Sequence, residues 1–255
     1  MIKSVNNSPV SQLFDIEAGV VYAIPRYQRE YTWKMDQWES LFDDIEENDP
    51  GYFLGSIICI NQTTDSHADA YTLFESLNNR GMPLTAIDLI KNKLLARLET
   101  TEPGKVDHYF DVWNKLLGYL GDDYSVQERF FRHYYNAFKD PLNVPFRKDE
   151  DKKKDPLGPV ATRSNLIQIY EKLINQDAKH HLQAIRSAGQ LYALMLARNT
   201  DEAWAPLDKP LKDLDRIQGA PSYLLMLYLL VRREALGIDV AQLEEIARLL
   251  VCFFV

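Results

Sequence analysis

Two short stretches hold side chains able to do chemistry. Residues 25–33 read Pro-Arg-Tyr-Gln-Arg-Glu-Tyr-Thr-Trp, rings alternating with guanidinium and amide groups and no period that would bury one face. Arg26 and Arg29 could clamp a phosphate, since a guanidinium fork matches its oxygens. Tyr27, Tyr31 or Trp33 could stack on a base. The structural alternative is a strand-to-helix connection with surface arginines and core rings. The second stretch, residues 78–83, reads Asn-Asn-Arg-Gly-Met-Pro. Gly81 can take positive φ and Pro83 cannot continue a helix, so the stretch is a corner. A helix follows, and Asn78 and Arg80 beside its start suit an anion, because amide N–H groups, the helix dipole and a guanidinium act together. Equally, Asn78 holds the corner and Arg80 pairs with Asp88.

The elements that would position these groups follow from pattern. Residues 70–78 carry Leu73, Phe74 and Leu77 at helical spacing. Thr85-x-x-Asp88 is a capping box in its Asp form, and Ile87, Ile90, Leu94, Leu95 and Leu98 form the buried stripe of the helix it opens. Lys91, three residues after Asp88, reads as a weak ion pair on that helix. Residues 20–24 and 52–60 are β-branched and aromatic and are expected as strands, with a helix at 34–48 between them whose stripe is Trp38, Leu41, Phe42 and Ile45. Beyond residue 99 everything reads helical: 106–120, an aromatic-rich 126–138, 164–174, 178–196, 207–215, 221–236 and 240–254. Four prolines around a mixed-charge run make 140–160 a mobile loop. Lys152, Lys153 and Lys154 there are nearly cancelled by acidic neighbours.

The expected class is α+β and predominantly helical. A small mixed sheet lies near the N-terminus and a helical bundle follows, divided as 1–98 and 99–255. Net charge is −8 over 255 residues, so no global basic field draws nucleic acid and any such contact is local. Cys59 and Cys252 lie in apolar runs and suggest neither disulfides nor a metal site, and a reducing, cytoplasmic compartment is the default. His180 and His181 are adjacent and point apart on a helix, which disfavours a joint metal site. No apolar run reaches the roughly 20 residues of a membrane span. The apolar end at 249–255 is expected either to belong to a fragment or to be covered by another domain.

Three segments carry a resemblance: IPRYQREYTW at 24–33, YFLGSII at 52–58 and FESLNNRGMPLTAIDLIKN at 74–92. They resemble the N-terminal domain, labelled a domain of unknown function, of GmrSD-type modification-dependent (type IV) restriction enzymes, which is related to the ParB/sulfiredoxin fold. Residues 211–230 are similar to the helical part of the same group. The resemblance implies a ParB-like sheet and a bacterial or archaeal phage-defence protein. In that group the domain binds and hydrolyses a nucleoside triphosphate, with GTP, UTP, ATP and CTP not distinguished and Mg2+ as companion. It senses modified DNA, while a separate HNH-type nuclease domain cuts; homo-oligomers are a further expectation. Tyr27, Gln28, Arg29, Tyr31 and Trp33 match the group's first motif, and Asn78, Arg80, Gly81, Asp88 and Lys91 its later one. One departure matters. The Asp-Gly-Gln-Gln-Arg motif that opens a helix in the group is absent, and residues 61–69 run directly into Tyr71. A chain without it is expected to hydrolyse weakly or not at all. The competing expectation is a non-enzymatic DNA- or protein-interaction module.

Overall fold

The structure, a computed structural model, describes residues 9, 34–48, 84–147, 154–198, 201–217 and 220–254. The chain divides into two compact units, Met1–Asp65 and Ser66–Val255.

In the first unit the described element is α1, Met35–Glu47. It begins where Lys34 N–H donates to Gln37 Oε1 at 2.8 Å. Trp38 and Phe42 stack with centroids 6.1 Å apart. Phe42 and Ile45 of the expected stripe are exposed, as is Met35.

The second unit is built from α2 (Ala86–Thr101), α3 (Val106–Leu120), α4 (Tyr124–Asn143), α5 (Leu166–Met195), α6 (Ala205–Arg216), α7 (Ala220–Leu236) and α8 (Val240–Phe254). The long α5 lies at the centre and packs against α2, α3, α4, α6 and α7, while α8 packs on α6. Periodicity explains the core. Tyr109, Val112, Trp113, Leu116 and Leu120 recur at helical spacing on α3 and are all buried. Phe130, Phe131, Tyr134, Tyr135 and Phe138 do the same on α4. Phe131 lies between Trp113, at 5.7 Å, and Tyr170, at 5.1 Å, joining α3, α4 and α5 through edge and tilted ring contacts. Gly189 lets α3 and α5 approach, since a Cβ there would lie 2.4 Å from Leu116 Cδ1.

Two helices break where their sequences demand it. α5 kinks at Asp177 (φ −157, ψ 88), whose Oδ1 accepts from His180 N–H at 2.9 Å and so caps the half that follows. α4 kinks at Phe138, and one more turn carries Pro141. Past that turn, Asn143 Oδ1 accepts from Leu157 N–H at 2.9 Å, and Tyr135 Oη donates to the Gly158 carbonyl. Asn136 Oδ1 accepts from Ala161 N–H at 2.7 Å. Residues 157–161, at the end of the expected mobile loop and one residue past it, are thus tied to α4, with Leu157 and Ala161 buried.

The expected α+β class is corrected. Among the described residues every regular element is a helix and there is no strand or sheet. The runs read as strands, 20–24 and 52–60, lie outside the described residues. Short apolar runs have no period that separates strand from helix, and that expectation rested on β-branched and aromatic composition together with the family resemblance.

Candidate functional site

The described part of the candidate site is the start of α2. Thr85 Oγ1 accepts from Asp88 N–H at 3.1 Å, and Thr85 N–H donates to Asp88 Oδ2 at 3.2 Å. The capping box read from the sequence is therefore formed. A third bond comes from outside the helix, where Ala86 N–H donates to Tyr124 Oη at 3.2 Å. Two of the first three amides of α2 are thereby engaged, and the carboxylate of Asp88 sits where an incoming anion would otherwise benefit from the dipole.

Tyr124 links this helix start to a buried charge cluster. Burial raises its phenol pKa, the Ala86 amide works against that, and the Glu128 carboxylate raises it further. Glu128 is buried, accepts from Arg163 Nε at 3.0 Å, and lies 3.3 Å from Arg132 Nε. Removing either arginine would weaken the compensation of a buried carboxylate.

Asp88 and Lys91 share one turn of α2, with Lys91 Nζ 3.9 Å from Asp88 Oδ1, and both are largely shielded. Next to Lys91 stands Asn92, 0% exposed. Neither its Oδ1 nor its Nδ2 has a hydrogen-bond partner. Leaving a buried polar group unmet costs about 1–3 kcal/mol. Sequence reasoning passed over Asn92; the available signal was an amide on the helix face shared by Asp88 and the buried Leu95.

The other residues singled out from sequence, Arg26, Tyr27, Gln28, Arg29, Tyr31, Trp33, Asn78, Arg80 and Gly81, lie outside the described residues, as does any pairing of Arg80 with Asp88.

A second polar cluster lies on α4, whose aromatic-rich run carried no functional expectation from the sequence. Tyr192 Oη and His133 Nδ1 are 3.0 Å apart, and Tyr223 Oη donates to Asp215 Oδ1. The Arg129 guanidinium stands 5.7 Å from the Tyr223 ring centre. Burial, reinforced by Arg129 and Arg132, pushes His133 down to about 4, so it is neutral near pH 7. Burial pushes Tyr192 up to about 12. The cluster joins α4, α5, α6 and α7. The hollow beside it, lined by Met195, Leu211, Leu214 and Met226, has no room for a water molecule. Its geometry is therefore that of a structural junction. The signal in the sequence was Arg129, Arg132 and His133 at i, i+3 and i+4, one polar face on an otherwise aromatic helix.

His180 and His181 diverge: His180 is exposed, while the buried His181 places Nε2 3.0 Å from Gln176 Oε1. Among the described residues no group of three or more His, Cys, Asp or Glu side chains could hold a metal ion. Among them, too, no helix is long and apolar enough to cross a membrane.

Residues 10–68 match the family of the GmrSD restriction endonuclease, N-terminal domain. No curated protein and no solved structure matches the chain. Over this segment the chain is similar to a restriction-endonuclease family. The segment contains the arginine-and-ring stretch at 25–33 and all of α1. It stops at residue 68, beside the point where the Asp-Gly-Gln-Gln-Arg motif is absent; the later stretch at 74–92 falls beyond it.

Proposed function

We propose that this chain is a nucleotide-binding sensor module of a DNA restriction or phage-defence protein, weak or inert in hydrolysis. The observation that carries the reading is the family match over 10–68, which encloses Arg26, Tyr27, Gln28, Arg29, Tyr31 and Trp33. In this reading Arg26 and Arg29 hold phosphate oxygens and a ring of the same stretch stacks on the base. The reading further assigns Asn78, Arg80 and Gly81 to nucleotide binding, with Asp88 and Lys91 supporting. Moving a γ-phosphoryl group requires side chains that position water and neutralise charge, usually with Mg2+. The absent motif is the natural source of those groups. Cleavage of modified DNA would fall to an HNH nuclease domain, C-terminal or separate, with the module acting in the cytoplasm and as a homo-oligomer.

The test is a titration of the full chain with labelled GTP, UTP, ATP and CTP in the presence of Mg2+. Binding of at least one is expected. Arg29→Ala should weaken it by about 10- to 150-fold, as losing a charge-assisted hydrogen bond implies. No binding of any nucleotide overturns the reading, and brisk turnover overturns the inertness.

One observation favours a second reading, a non-enzymatic DNA- or protein-interaction module. The start of α2 already engages its Ala86 and Asp88 amides with Tyr124 and Thr85, which leaves less for a phosphate to gain there. Under this reading DNA or partner binding persists in Arg29→Ala while nucleotide binding is undetectable in both proteins.

A further inference from the structure

Among the described residues of the helical unit two asparagines are fully enclosed, and they behave oppositely. Asn143 bonds through both ends of its amide, to Leu157 N–H, Tyr135 Oη and the Lys139 carbonyl, at 2.7–3.0 Å. Asn92 is as deeply buried and bonds through neither end. Among the described buried side chains it alone leaves both a donor and an acceptor unmet. Architecture does not explain an amide there. Leucine has the same branched side-chain skeleton, a better helix propensity and no polar atoms to desolvate, and α2 already uses it at positions 94, 95 and 98. An enclosed polar group with no structural partner is the signature of a group reserved for something that binds.

Its chemistry narrows what binds. A neutral amide is a poor partner for phosphate compared with Lys91 beside it, but it offers a donor and an acceptor side by side. That is the complement of a nucleobase edge, which presents an acceptor next to a donor. Asp88 one turn earlier and Lys91 adjacent place the amide among residues already assigned to the nucleotide reading.

We propose that Asn92 is a specificity-determining residue that hydrogen-bonds the base of the bound nucleotide through both ends of its amide. The inference rests on the nucleotide reading above. Because the amide is 0% exposed, the base reaches it only through a local opening of its surroundings.

The experiment compares the full chain with Asn92→Leu for binding of GTP, UTP, ATP, CTP and inorganic tripolyphosphate. The variant is expected to unfold at the same temperature as the parent or higher. Its affinity for the preferred nucleotide should fall by about 5- to 150-fold, the discrimination a bidentate amide–base pair supplies, and the differences among the four should shrink. Affinity for tripolyphosphate should stay the same. In the parent protein, the Asn92 side-chain amide resonances should move on adding the preferred nucleotide and not on adding tripolyphosphate, a readout that needs no variant to fold. The proposal is overturned if Asn92→Leu binds the nucleotide within about twofold of the parent, or if the resonances stay still or respond equally to tripolyphosphate. If the parent binds no nucleotide, the underlying reading fails and this inference with it; if the parent binds and only the Asn92 readouts fail, the underlying reading stands.

Discussion

Asn143→Ala should be among the most damaging substitutions outside the aromatic core. The side chain is 0% exposed and makes three hydrogen bonds: from Leu157 N–H at 2.9 Å, to Tyr135 Oη at 3.0 Å, and to the Lys139 carbonyl at 2.7 Å. Tyr135 in turn donates to the Gly158 carbonyl, so the same asparagine steadies a second tie to the 157–161 segment. Alanine removes all three bonds and leaves the Leu157 amide enclosed without an acceptor, since Leu157 is itself buried. At about 1 kcal/mol for each of the two lost donor bonds and about 1–3 for the stranded Leu157 amide, the expected loss is about 3–5 kcal/mol. Asn143→Asp keeps the acceptor for Leu157 but turns a carboxylate oxygen toward the Lys139 carbonyl in an enclosed site, and should also be less stable than the parent. Urea unfolding of the three proteins measures the differences. Hydrogen exchange should show the amides of residues 155–161 losing protection first in the alanine variant. A loss under about 1 kcal/mol for Asn143→Ala, or Asn143→Asp as stable as the parent, would refute the assignment of this residue as the clasp of the segment.

Gly189→Ala sets two effects against each other. Helix propensity gains up to about 1 kcal/mol, while the new Cβ would lie 2.4 Å from Leu116 Cδ1, itself enclosed, and overpacking costs about 1–3 kcal/mol. A net loss is expected, partly recovered in a double variant with Leu116→Ala; a single variant more stable than the parent contradicts the close approach of α3 and α5. Stability should also fall in mild acid. Burial holds both His133 and His181 down to about 4, against 6.5 for the free side chain. Between those values the unfolded chain binds protons that the native state refuses, so the contribution present above pH 6.5 is lost as pH falls toward 4. Each histidine should contribute about 1–3 kcal/mol over that window. His133→Gln should flatten its share of the slope in a series of thermal melts, and an unchanged slope would contradict the burial argument.

Much of the helical unit was legible because its signals are local. The Thr85–Asp88 box and the stripe from Ile87 to Leu98 appear as read, since capping and a 3.6-residue period are both properties of a short window. The interruption between 174 and 178 is the Asp177 cap, and the expected end at 138 is the Phe138 kink. The turn beyond that kink was not foreseen, because a proline at 141 reads as a stop unless a side chain such as Asn143 bonds back to the Lys139 carbonyl. The sheet expectation failed where composition had to stand in for periodicity. The two polar features of the unit, the unmet Asn92 amide and the His133 junction, were illegible for another reason. Whether a buried polar atom finds a partner depends on chain segments distant in sequence, as with Tyr192 reaching His133 from 59 residues away.

The most direct test of the central claim is photo-crosslinking of the full chain with an azido-substituted nucleoside triphosphate, with the modified residues located by mass spectrometry. The account predicts adducts within 25–33, at Tyr27, Tyr31 or Trp33, together with adducts at the 78–81 corner or the first turns of α2, all suppressed by excess unmodified nucleotide. Adducts confined to α3–α8, or labelling that unmodified nucleotide does not compete away, would contradict it.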